Sequence, residues 1–273
     1  MNILYKYCGC RGALKILSSL ELKLPYISDV NDPYDGSPVL EFMGTREKNK
    51  KAIEDLFKER RKSLPSDIDN KLEDREWREN LKVKLLETFR RWKEENCVLC
   101  VSRTAKNPAM WAHYASSHQG VVIGIDYDAA LASKNGRGPI PMRKVDYPEE
   151  RQKTDILDRR LEKRIKIFTT KANYWKYEDE MRCIFVKEDI DATGADFKTL
   201  QKERLALLKC FKGKRTWFLR LDPLSIREVI FGLRAKERLK SAIRRLMKRL
   251  PNAKLFQVKE SETYDFDLIE LKI

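Results

Sequence analysis

The run Val-Val-Ile-Gly-Ile-Asp at residues 121–126 constrains this chain most. It is apolar without alternation, so neither face tolerates water, and it suits a central strand. Other stretches read as strands beside it. Residues 3–7 alternate, with Tyr5 and Tyr7 on one face and Leu4 and Lys6 on the other. Residues 97–102 and 226–232 read as buried strands. Residues 22–25, 142–147, 217–221, 254–259 and 266–271 read as extended. Helical periodicity marks residues 13–20, 107–117, 148–168, 197–211 and 235–250, with loops at 136–141 and 187–197. The expected fold is a single α+β domain over residues 1–273, with a mixed or mainly antiparallel central sheet and helices around it.

Residues 46–95 read as a highly charged helical insertion, broken at Ser63-Leu64-Pro65-Ser66-Asp67 into two helices. In its second half Trp77, Leu81, Leu85, Phe89 and Trp92 recur at helical spacing, which marks a packing stripe. No stretch has the length and apolarity of a membrane-spanning helix, and the first residues lack the pattern of a secretory signal. A cytoplasmic protein is the expectation. Cys97 and Cys100 have CxxC spacing but lie in an apolar run without a second matched pair, so no metal site is expected and the thiols read as reduced and mostly buried.

Chemistry gathers in Lys171 to Val186, read as KANYWKYEDEMRCIFV. If residues 178–186 are extended, Glu178, Glu180 and Arg182 share one face, beside the rings of Trp175 and Tyr177. Upstream, Ser102-Arg103-Thr104 ends a strand. The only two histidines, His113 and His118, lie close together, flanked by Trp111 and Tyr114. Asn31-Asp32-Pro33-Tyr34-Asp35-Gly36 is a turn held by side-chain to backbone hydrogen bonds.

Net charge is +15, and nine basic residues against one acid between Arg234 and Lys254 supply more than half of it. That helix offers Lys240, Arg244, Arg245 and Lys248 to a nucleic acid or an acidic protein partner.

These pieces together resemble a bacterial family known only as a domain of unknown function, numbered 2971. The resemblance rests on Leu4-Tyr5-Lys6-Tyr7, Asn31-Asp32-Pro33-Tyr34, Leu99-Cys100-Val101-Ser102, Met110-Trp111-Ala112-His113-Tyr114, His118-Gln119-Gly120-Val121, Trp175 through Arg182 and residues 226–233. It implies a bacterial, soluble protein of the kind found with mobile or defence genes. A more distant resemblance is to ADP-ribosyltransferases. Tyr5, Lys6 and Tyr7 take the place of the first-strand motif and Ser102 to Thr104 that of the Ser-Thr-Ser motif, while Glu178-Asp179-Glu180 takes that of Glu-x-Glu.

That second resemblance implies an ADP-ribosyltransferase-like fold and an enzyme that uses NAD as substrate. It would be a toxin or phage-defence effector acting on nucleic acid or protein, with a neutralising antitoxin as a further partner. Glu180, Glu178, Tyr7, Ser102 and His113 become the catalytic set. Lys6, Asn31, Asp32, Trp111, Tyr114, His118, Trp175 and Arg182 become the residues that hold NAD. Two rival readings stand beside it. One is a metal-dependent nuclease using Asp32, Glu178, Glu180, His113 and His118. The other is a non-enzymatic module that grips nucleic acid or an acidic partner. Neither GxGxxG nor a Walker loop occurs, which argues against dinucleotide-fold dehydrogenases and P-loop enzymes.

Overall fold

In the computed structural model, which describes residues 3–130, 141–185, 208–210 and 217–272, the apolar run 121–126 is the middle of an eight-stranded sheet. Strand β5 (Val121–Asp126) is buried along its whole length and leads into the short α6 (Tyr127–Ala130). Its neighbours are β1 (Ile3–Cys8) and β11 (Ile226–Phe231), both antiparallel to it. Beyond β11 come β12 (Lys254–Glu260), parallel to it, and β13 (Phe266–Leu271) at the edge. Beyond β1 come β4 (Cys97–Ser102), β8 (Glu180–Phe185) and the short β6 (Arg143–Lys144). The fold is α+β around a mixed sheet, as the alternating patterns predict. The parallel β11–β12 pair is joined by α8 (Glu237–Met247), since a parallel pairing needs a crossover.

One junction is weak. β1 and β4 share a single registered pair, Tyr5 opposite Ser102, whereas β1 and β5 are paired from Ile3 to Cys8. Lys6 helps to hold the opening, its Nζ donating to the Cys100 carbonyl at 3.0 Å.

Alternation assigns the two faces. Leu4, Leu99, Ile123, Cys183 and Val229 join the cluster built with α1 (Cys10–Ser19), α8 and the strands β2 (Glu21–Leu24) and β10 (Trp217–Arg220) of a small sheet whose third strand is β9 (Leu208–Cys210). On the other face Tyr7, Val122 and Ile230 pack with Trp111 of α5 (Pro108–Tyr114). Asn107 caps α5, accepting from the amides of Ala109 and Met110, and Pro108 takes the first helical position. Trp111 is fully buried, edge-on to Tyr7, and its Nε1 donates to the Ala105 carbonyl at 2.7 Å.

Residues 46–95 fold as α2 (Arg46–Glu59), α3 (Ile68–Glu73) and α4 (Arg75–Glu95), one helix more than the sequence predicts. Leu81 and Leu85 of the predicted stripe are buried, with Trp77 and Phe89 packed against them. Phe89 and Trp92 stack on Phe168.

The helix expected over residues 148–168 is overturned for its first half. Val39–Glu41 (β3) pairs in parallel with Lys153–Asp155 (β7), and only Leu161–Phe168 (α7) is helical. The loop expected at 136–141 and the elements expected at 187–211 fall mostly outside the described residues. Residues 208–210, assigned to a helix by periodicity, instead form β9 against β10.

Candidate functional site

The acid pair is not on one strand face. Asn173–Glu178 is a 3-10 turn, Asp179 takes a left-handed conformation (φ 44°), and β8 begins only at Glu180. Asp tolerates that conformation better than most residues. It is held there by Arg103, whose Nε donates to Oδ1 at 2.9 Å and whose backbone amide donates to the Asp179 carbonyl. The Ser102 hydroxyl donates to the Glu178 carbonyl at 2.7 Å and accepts from the Thr104 amide. Ser102 thereby fixes the turn that presents Glu178.

The two carboxylates meet again through their partners. Lys171, almost wholly buried, places Nζ 2.6 Å from Glu178 Oε2 and 3.8 Å from Glu180 Oε2. The same ammonium lies 4.4 Å from the centre of the Trp175 ring. On its other side Glu178 Oε1 accepts from the Tyr114 hydroxyl at 2.6 Å, and that hydroxyl accepts from Asn31 Nδ2 at 3.2 Å. Glu180 forms a bidentate pair with Arg182, whose Nε and Nη2 donate at 2.9 Å each. Arg182 also clamps both oxygens of Asp35, at 2.6 and 2.5 Å, and donates from Nη1 to the Phe168 carbonyl at 2.9 Å. Its donors are thus committed inside the protein, the geometry in which a buried guanidinium is tolerated.

Together Asp35, Glu178 and Glu180 carry three negative charges when ionised, against two positive charges on Lys171 and Arg182. The environments drive the glutamates apart. Burial would raise the Glu180 carboxyl, but the charge and hydrogen bonds of Arg182, with help from Lys171, outweigh it and hold it at about 2. For Glu178 burial wins, aided by the Glu180 charge, and its carboxyl lies above the ordinary value despite Lys171 and Tyr114. Burial, and then the bond to Glu178, push the Tyr114 hydroxyl up in turn.

These groups border a cleft of about 110 Å³ at the β1–β4 opening. That is less than the apolar cavity of about 150 Å³ that takes up benzene, so the cleft encloses only part of a small molecule. Of the residues predicted from sequence, Tyr7, Lys6, Asn31, Ser102, Tyr114, Glu178, Glu180 and Arg182 line it. Tyr7 contributes its ring, because its hydroxyl is bonded to the Thr104 carbonyl at 2.9 Å.

The other predicted members are corrected. Trp111 lies in the core beneath Tyr7, with no face left for a ligand. His113 is on the exposed side of α5, near Tyr177 and Trp175, and does not line the cleft. His118 ends a left-handed turn from Ser116 and packs edge-on against Phe266, away from the acids. Trp175 lies behind Lys171 as a wall for the ammonium. Asp32 caps its own turn, accepting from the Tyr34 amide at 2.9 Å. The nuclease set is therefore not gathered. Among the described residues no group of three or more His, Cys, Asp or Glu is placed to hold a metal ion.

Among the lining residues to which sequence gave no site role, three carry a charge or a phenol: Asp35, Lys171 and Tyr5. Burial, and then the Glu228 charge, push the Tyr5 hydroxyl up to about 12. The second acid of Asn-Asp-Pro-Tyr-Asp-Gly is the one available signal for Asp35.

The basic helix stands elsewhere. α8 buries Leu239, Ile243 and Met247 in the cluster of Leu4 and Leu99, so the sheet separates it from the cleft. Arg245 and Lys248 are exposed, whereas Lys240 and Arg244 lie 3.2 and 4.0 Å from Glu237. No described helix is long and apolar enough to cross a membrane.

No curated protein and no solved structure matches the chain. Residues 110–183 match the model of a family described as "Protein of unknown function (DUF2971)". The matched span contains Tyr114, Lys171, Glu178, Glu180 and Arg182, so the chain is similar to that family across most of the charged lining of its cleft.

Proposed function

We propose that the cleft cleaves the nicotinamide–ribose bond of NAD and transfers ADP-ribose to an acceptor. The observation that carries this reading is the pair of buried glutamates with opposite proton affinities, Glu180 held ionised and Glu178 pushed up. Breaking that bond heterolytically sends its electron pair to a neutral nicotinamide and leaves positive charge on the ribose, as in glycoside cleavage. With both glutamates ionised, Asp35, Glu178, Glu180, Lys171 and Arg182 sum to one negative charge, which favours the developing cation. The acceptor then forms its bond to the ribose carbon, and its proton passes to Glu178, whose raised affinity suits a general base. Tyr7 and Tyr5 supply ring surfaces for the nicotinamide, and Lys6 is the cation for a phosphate oxygen. A cleft this small encloses only part of NAD, with the rest lying across its mouth.

Two corollaries belong to the same reading. The acceptor is a nucleic acid or a protein, in keeping with the +15 net charge, and an enzyme of this kind calls for a neutralising partner. The test is nicotinamide release and transfer of label from NAD in the presence of RNA, DNA and cell lysate. Glu178→Gln is expected to lower transfer of label to the acceptor by about 10²- to 10⁴-fold without unfolding the protein. No release, no transfer and no NAD binding by the wild type would sink the proposal.

A further inference from the structure

A second cavity, of about 230 Å³, lies between residues 34–38, 148–152 and 170–174. Lys171 belongs to its wall and to that of the cleft, so the two are neighbours. We infer that this cavity holds the adenine of NAD while the cleft takes the nicotinamide end, an inference that rests on the proposed function.

Accessible ring surface is the first ground. Tyr34 and Tyr174 are 56% and 61% exposed, and both line this one cavity. A single exposed ring is ordinary, but two on the wall of one cavity are apolar surface of the kind that ligands cover. The Arg151 guanidinium lies 5.3 Å from the centre of the Tyr34 ring and is fixed there, its Nε donating to the Ser37 carbonyl at 2.8 Å. Tyrosine rings and guanidinium planes are surfaces on which unpaired bases stack. At about 230 Å³ the cavity exceeds the ~150 Å³ that takes up benzene, which suits a two-ring base.

Charge then selects the kind of ligand. Lys171 directs its ammonium to Glu178 on the cleft side. Arg151 stands with two exposed acids of the lining, Glu149 and Glu150. Glu149 Oε1 accepts from Asn173 Nδ2 at 2.7 Å, and a carboxylate has further sites for donors. Two acids beside one arginine disfavour a phosphate in this cavity. They favour a neutral base that brings an amino group to donate, as adenine does with its exocyclic nitrogen.

The test is calorimetry on the full chain with adenosine, inosine and NAD. Inosine offers the same two rings without the amino group. Adenosine is expected to bind with a stoichiometry of one, at least about tenfold more tightly than inosine, and NAD is expected to displace it. Tyr34→Ala and Tyr174→Ala should each weaken adenosine binding about tenfold. Both remove exposed rings, so their thermal midpoints should stay close to that of the wild type. The inference is overturned if adenosine does not bind, if inosine binds as tightly, if both variants bind adenosine like the wild type, or if NAD fails to displace it. Nicotinamide release separates this inference from the reaction. Displacement by NAD without release would sink the reaction and leave the adenine site standing. Release with the KM for NAD unchanged in both variants would do the reverse.

Discussion

The cleft and helix α8 both concentrate charge, in opposite ways. In the cleft, Asp35, Glu178, Glu180, Lys171 and Arg182 are buried and each has a named partner. On α8 the excess is larger, but Arg245 and Lys248 face solvent, and the closest pairing is Lys240 with Glu237 at 3.2 Å. Buried charges have defined geometry because desolvation penalises every other arrangement. Exposed charges are screened within about 10 Å and do little for the fold. Five buried residues therefore say more about chemistry than the whole net charge, which speaks only to partners.

Several measurements would break or sharpen that contrast. The largest effect belongs to Arg182→Met, which leaves Asp35 and Glu180 facing each other without their cation. A stability loss of about 3–5 kcal/mol is expected in urea unfolding, and a loss below about 1 kcal/mol would show that the network is not structural. Next is Glu180. Its folded-state affinity for protons is depressed from 4.5 to about 2, so its contribution is present above pH 4.5 and lost as pH falls towards 2. Glu180→Gln should therefore cost about 3 kcal/mol at neutral pH, a gap that closes in acid. A gap independent of pH would contradict the ionic account.

Glu178 has the opposite sign. Its folded-state value is raised, so its contribution is complete below 4.5 and fades as pH rises through the folded value. The stability of Glu178→Gln relative to the wild type should climb with pH over that window, and a flat difference would refute the raised affinity. The smallest stability effect falls on α8. Reversing Arg245 and Lys248 to Glu should move stability by less than about 0.5 kcal/mol. If α8 grips nucleic acid, the same change lowers the salt dependence of binding by about 0.9 for each phosphate that the helix no longer neutralises. Unaltered binding would leave the helix as a solvated face.

Much of the sheet was legible in the sequence because its strands are marked by local patterns. Val121–Asp126 is apolar throughout, and Phe266–Leu271 alternates. Residues 148–160 misled because charged, leucine-bearing sequence mimics a helix. There, pairing of Lys153–Asp155 with Val39–Glu41 prevails over propensity. Two aspartates then stop any helix early, Asp155 accepting from the Leu157 amide and Asp158 from that of Arg160. In the cleft, Glu178, Glu180 and Arg182 were found because they are adjacent in sequence. Asp35 came to the site through topology, since 147 positions separate it from Arg182, whereas Lys171 lies only seven positions before Glu178 and was passed over inside the stretch already singled out. The histidines failed for the converse reason. Nearness in sequence put His113 and His118 in one expected pocket, and the left-handed turn from Ser116 to His118 sends them to different surfaces.

The single registered pair between β1 and β4 bears on how the molecule opens. On one side of that seam β1, β5, β11, β12 and β13 form a continuous ladder, and on the other β4, β8 and β6 form a second. Amide hydrogen exchange should therefore divide the sheet into two protected blocks, with the strand edges along the seam exchanging by small, local openings. The cleft lies on that seam, so a ligand seated there would slow exchange at Tyr5 and Ser102 before it slowed exchange in β5.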